Sequence, residues 1–180
     1  TGRSVELRSE YIPRDGLNLR VTYLASEREY DVPGDNSGVA HSRRDKREQL
    51  TAMLVYSPSE TVRSTIRAGY CLLNSGEGRG YMLCHDLALS FRTVPVRVWF
   101  RYALFSTDSY ASRLYAWEND MLYGFSVPAM YGEGSRTALM VSWKPLRSLE
   151  LRAKYAVSMR HEGQAEEISR DIRVQGKIVF

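Results

Sequence analysis

Apolar and polar side chains alternate along almost the whole chain. From Leu149 onward one parity reads Leu149, Leu151, Ala153, Tyr155, Val157 and Met159, and the other reads Glu150, Arg152, Lys154, Ala156, Ser158 and Arg160. Successive side chains of a strand point to opposite faces. Period two therefore predicts a strand with one apolar and one charged face. The pattern recurs over residues 168–180, 96–107, 81–92, 62–73, 50–56, 17–25, 5–11 and 137–143, which makes nine strand candidates. No segment of helical period competes, since residues 43–48 are charged enough for a helical turn but have no apolar face. The expected fold is all-β, an antiparallel meander.

The connections alternate in length. Short ones fall at 13–16, 57–60, 93–95 and 144–147, and long ones at 30–46, 74–80, 106–136 and 161–167. Short turns at one end and long loops at the other mark outer-membrane barrels. Strands of roughly 10 residues suit a tilted membrane crossing and exceed the usual soluble length of about 5–6. The apolar parity places Tyr11, Tyr56, Phe91, Trp143 and Phe180 near strand ends, as interfacial girdles require. Together these features predict a transmembrane β-barrel with an apolar exterior and a charged lumen. The alternative is a soluble β-sandwich or barrel binding protein, which would gather Leu151, Tyr155, Val98 and Phe100 into a closed core.

Composition narrows the choice. With 180 residues, 43% hydrophobic and 11% aromatic, the chain is too apolar for disorder. No apolar run approaches the roughly 20 residues of a membrane-spanning helix. The net charge of +4 is concentrated on the lumen parity. There Arg20, Arg63, Arg67, Arg97, Arg101, Arg152, Lys154, Arg173 and Lys177 face only Glu6, Glu10, Asp86, Glu150 and Asp171. Such an excess could draw anions or nucleic acid into a pore. The other reading is a plugged lumen held by ion pairs.

Three His and two Cys lack any metal spacing, and no phosphate-binding loop is present. No catalytic, cofactor or metal residue is assigned, and a non-enzymatic role is expected. Cys71 and Cys84 share the lumen parity on adjacent strands about a centre near Glu77 and Gly78. In an oxidising envelope they are candidates for a disulfide, against two buried free thiols. His85 and Ser64 break the apolar parity. His85 is either a neutral side chain tolerated in lipid or one facing a partner protein of the envelope. Ile178 and Phe180 end the last strand on its apolar parity, like the signal that barrel-assembly machinery reads.

Strand counting adds an expectation about the whole polypeptide. If the last strand descends to the periplasm, nine strands put Thr1 on the extracellular side. Bacterial single-chain barrels have even strand numbers. Residues 1–180 are therefore expected to be one segment, the C-terminal part of a larger barrel whose earlier strands lie elsewhere in the polypeptide.

One stretch is distinctive. Trp117, Glu118, Asn119, Asp120, Met121, Leu122 and Tyr123 are followed by Phe125, Ser126, Val127, Pro128 and Ala129, then by Tyr131, Gly132, Glu133, Gly134, Ser135 and Arg136. It resembles a motif in the C-terminal barrel of Bacteroidota-type outer-membrane proteins that carry N-terminal helix-hairpin-helix repeats. The hairpin over 143–155 and the Phe-terminated last strand are similar too. The resemblance implies a periplasmic domain ahead of the barrel and no catalytic residues. It also implies an outer-membrane location. On physical grounds residues 117–134 are expected to form an extracellular loop packed by its own aromatics.

Overall fold

The computed structural model describes residues 2–32, 41–73, 78–162 and 165–179. The strands in chain order are β1 (Gly2–Arg14), β2 (Leu17–Val32), β3 (His41–Ser59), β4 (Val62–Leu73), β5 (Arg79–Ser90) and β6 (Val96–Thr107). A connecting loop then carries a 3-10 turn at Tyr110–Ser112 and the short pair β7 (Leu114–Tyr115) and β8 (Ala129–Met130). β9 (Glu133–Leu146), β10 (Leu149–Glu162) and β11 (Ala165–Ile178) complete the chain. All nine long strands form one antiparallel meander in the order β1-β2-β3-β4-β5-β6-β9-β10-β11.

The turn chemistry sits at one end. Asp15 and Gly16 close the β1–β2 hairpin, with Gly16 at φ 76°, a left-handed conformation that suits glycine. A Cβ there would also meet the Ser57 carbonyl at 2.3 Å. Pro13, Pro58 and Pro145 fall within or beside the register shifts of β1–β2, β3–β4 and β9–β10. Proline lacks the N–H a ladder needs, so it collects at such irregularities.

Two expected long loops are shorter than the alternation indicates. The β2–β3 ladder continues to Val32 opposite His41, and the β10–β11 ladder to Glu162 opposite Ala165. Residues 27–31 and 42–47 are charged on both parities. Backbone pairing needs no apolar face, so the ladder can outrun the alternation.

Side chains are sorted inside-out. Outward-facing Phe100 and Tyr155 are 39% and 45% exposed, whereas inward-facing Arg101 and Lys154 are 3% and 2% exposed. Leu54, Ile66, Leu83, Leu104 and Leu139 lie bare on the same outer face. That is the reverse of a soluble core and the arrangement of a transmembrane barrel wall. The outward Tyr81 on β5 and Phe91 just past its end bracket the band. At about 3.3 Å per residue and a tilt of about 40°, they stand roughly 25 Å apart across the membrane.

Two of the departures from apolar parity, Ser64 and His85, satisfy one another. Ser64 Oγ and His85 Nε2 lie 2.9 Å apart on the outer face. A hydrogen-bonded pair is tolerated in lipid at lower cost than two lone polar groups.

The sheet is open among the described residues. The outer edges of β1 and β11 have no ladder partner, and β1 is exposed along both faces.

Replacing Phe100 with Arg tests the inversion. In lipid vesicles, urea unfolding is expected to show a loss of about 2–4 kcal/mol, the midplane cost of an outward Arg. An exposed position of a water-soluble sheet would change by less than about 0.5 kcal/mol.

Candidate functional site

The inner face of the sheet is organised around residues 108–132. Leu114 and Met130 of this loop are fully buried and pack with Cys71, Met82, Cys84, Ala103, Phe105 and Ala116. Gly80 lets the loop approach, since a Cβ there would meet the Ser112 carbonyl oxygen at 2.3 Å. Arg47 on β3 donates to the Arg113 carbonyl. At the far side Gln175 on β11 brackets the Leu122 backbone, accepting from its N–H at 2.7 Å and donating to its carbonyl at 3.2 Å. One loop thus touches strands from β3 to β11, which laid flat would span about 30 Å. The sheet therefore curls round it, and the loop is a plug rather than an extracellular flap.

Ion pairs fix the plug. Glu118 and Asp120 are 2% and 8% exposed. Arg136 donates to both Glu118 oxygens at 2.8 Å and to Ser158 Oγ at 2.8 Å. Lys154 Nζ reaches Glu118 at 2.8 Å and Asp120 at 3.3 Å. Arg173 reaches Asp120 at 2.8 Å and Asp171 at 2.8 Å. Arg101 grips Asp86 with two bonds of 2.5 and 2.7 Å and donates to the Ala116 and Trp117 carbonyls. Its Nη1 also lies 3.8 Å from Glu118. Arg101, Arg136, Lys154 and Arg173 are balanced by Asp86, Glu118, Asp120 and Asp171. Burial alone would push the Glu118 carboxyl up, but hydrogen bonds from Arg136 and Lys154, with their charges, hold it down at about 2.

The expected lumen cations divide into groups. Arg101, Lys154 and Arg173 belong to the plug cluster. Arg152 pairs with Glu150 at 2.8 Å near the turn end, where Lys144 and Ser142 also reach Glu150. Lys177 meets the Tyr123 hydroxyl at 3.3 Å. Arg63, Arg67 and Arg97 have no acidic partner among the described residues.

Two expectations change. The disulfide does not form: the register sets Cys71 opposite Gly80 and Cys84 opposite Arg67, and both thiols are buried and free. That offset of four residues is about 13 Å along the strand, far beyond disulfide reach. Residues 117–134 do not pack on their own aromatics outside the barrel. Glu118 and Asp120 turn inward, while Tyr123 and Phe125 remain 89% and 78% exposed. His85 lies on the outer face with Ser64 as its hydrogen-bond partner. Ile178 is exposed on the apolar face as expected, and Phe180 lies outside the described residues.

The residues missed by periodicity are Glu118, Asp120 and Arg136. The first two lie in a loop with no parity to read. Their signal was the shortage of acids on the lumen parity, which required counter-charges from elsewhere in the chain.

No family model matches the chain, and no curated protein matches it. Among solved structures it is similar to the NanC porin, with a TM-score of 0.46 and 10% identity over 99% of this chain and 94% of that one. So distant a likeness carries no weight, and the case for a membrane barrel rests on the chain's own residues.

Two outcomes check the plug. Replacing Glu118 with Ala leaves buried cations uncompensated. It is expected to cost about 3–5 kcal/mol in detergent unfolding and to open residues 108–132 to protease. The depressed carboxyl also sets a pH dependence. Glu118 stabilises the fold fully above its unfolded value of about 4.3, and that contribution drains away as pH falls from there through about 2. Thermal midpoints followed by circular dichroism are expected to fall across that window in the native protein. In the Glu118→Ala variant this component of the fall is expected to be missing.

Proposed function

We propose that the protein is a non-enzymatic outer-membrane β-barrel with a stoppered lumen, serving as a structural or accessory subunit of a cell-envelope complex. The observation that carries this reading is the buried union of Glu118 with Arg101, Arg136 and Lys154. A lumen filled by a loop held on charge-assisted hydrogen bonds offers no wide aqueous path.

Closure follows from the same physics. Unpaired strand edges are not tolerated in hydrocarbon, so further strands of the polypeptide join β1 and β11 in this reading. Tyr123 and Phe125, bare at the β11 side of the plug, are apolar surface that such strands would cover. The likeness of 117–136 to barrels preceded by helix-hairpin-helix repeats fits a periplasmic domain ahead of the barrel. Ile178 and Phe180 fit the terminal signal read by barrel-assembly machinery, and the outward apolar band fits the lipid of the outer membrane.

The second reading is a transport pore for anions or nucleic acid. It is favoured by Arg63, Arg67 and Arg97, lumen cations that the plug leaves uncompensated.

Planar-bilayer recordings of the full-length protein separate the two. Silence is expected from the native protein, and steady steps from a variant carrying both Glu118→Ala and Asp120→Ala, whose plug is released. Ion-selective steps from the native protein would reject the stoppered scaffold in favour of the pore.

A further inference from the structure

We propose that the lumen cavity between β3, β4, β6 and the plug binds a small organic carboxylate, held by the guanidinium groups of Arg63 and Arg67. This rests on the membrane-barrel reading above and assigns a ligand class to its interior.

The cavity measures about 360 Å³, within the usual range for small-molecule sites. Its apolar lining comes from Met53, Val55, Trp99 and Met140, with Trp117 of the plug at its margin. Four further charged groups face it, namely Asp86, Arg101, Glu118 and Lys154. These neutralise one another through Asp86–Arg101 and Glu118–Lys154 contacts. What is left over is the charge of Arg63 and Arg67, four residues or about 13 Å apart along the inner face of β4, with Thr65 between them.

Arg67 is the more telling of the two. Its Nη1 is buried with no hydrogen-bond partner among the described residues, and its Nη2 has only the Met53 sulfur at 3.7 Å. Thioether sulfur is a weak acceptor. A guanidinium fork held in a partly dry site without an oxygen acceptor is matched by a carboxylate, which takes two parallel N–H bonds. The lining selects an organic body over a bare inorganic ion. Met53, Val55 and Trp99 give dispersion contact to an apolar or planar group and nothing to a strongly hydrated oxyanion.

The plug explains why this site lies where it does. Its acids, Glu118 and Asp120, reach the cations of β6, β9, β10 and β11 but none on β4. An anion entering beside the plug completes the charge balance on that side.

The test uses the full-length protein folded in detergent micelles, with folding scored by heat-shifted gel mobility. Isothermal titration with benzoate is expected to give saturable binding that weakens at least tenfold in Arg63→Gln and in Arg67→Gln. Arg92→Gln is expected to bind like the native protein, because Arg92 pairs with exposed Glu60 at the turn end. Inorganic phosphate at matched ionic strength is expected to leave the isotherm unchanged. Arg63 is exposed within the lumen, so its variant remains informative if Arg67→Gln fails to fold. The proposal is overturned by a flat titration of folded protein, by native-like binding in Arg63→Gln, by equal weakening in Arg92→Gln, or by phosphate displacing benzoate. A flat titration leaves the barrel reading intact, whereas a monodisperse protein without detergent would remove that reading instead.

Discussion

Glu118 accepts hydrogen bonds from Arg136 and Lys154 deep inside a sheet whose outer face is apolar, and this contact answers the main constraint on the fold. A strand has two faces. Once one is given to hydrocarbon, most charged residues of the chain's strands are driven to the other. The inner face then carries more cations than its own acids can match. Buried unpaired charge is prohibitive, so counter-charge has to come from outside the sheet. The loop between β6 and β9 supplies it, and the curl of the sheet brings the far strands within its reach.

The plug is held by two different forces at its two ends. Leu114 and Met130 bury into a small apolar cluster with Cys71, Cys84, Met82 and Phe105, where hydrophobic burial is non-directional and tolerant. Glu118, Asp120 and the Leu122 backbone are fixed by directional bonds to β9, β10 and β11. Apolar anchoring sets where the loop enters, and the ion pairs set which residues point down. Tyr123, at φ 63°, lies just past the Leu122 bracket, where the chain must turn back toward β8. A non-glycine residue in that conformation is uncommon, and here the paired bonds from Gln175 fix the backbone beside it.

Much of this was readable from residue order. Parity alone separated Val98, Phe100 and Tyr155 from Arg101, Arg152 and Lys154, and every one of those falls on the expected face. The strand order and the turn end followed from the same alternation and from Gly16, Pro58 and Pro145. Three things were not readable. The β2–β3 ribbon outruns its apolar pattern because backbone pairing does not require one. The Cys71–Cys84 offset depends on where the β4–β5 hairpin turns, and a shift of that centre by two residues moves cross-strand partners by four. The inward course of residues 108–132 has no periodic signature at all, since a loop side chain finds its direction from what it meets.

Charge balance is the sequence property that reached furthest beyond periodicity. Counting cations and acids on one parity exposed a deficit that the strands could not fill, and Glu118 and Asp120 fill it only in part. They neutralise the side of the lumen nearest their own anchor points, from β6 through β11. On β4, Arg63 and Arg67 stay unmatched beside aromatic and thioether side chains. A plug built for stability alone would spread its acids over the whole basic wall. The asymmetry between the two sides is what separates a merely filled lumen from one with a remaining use for an anion.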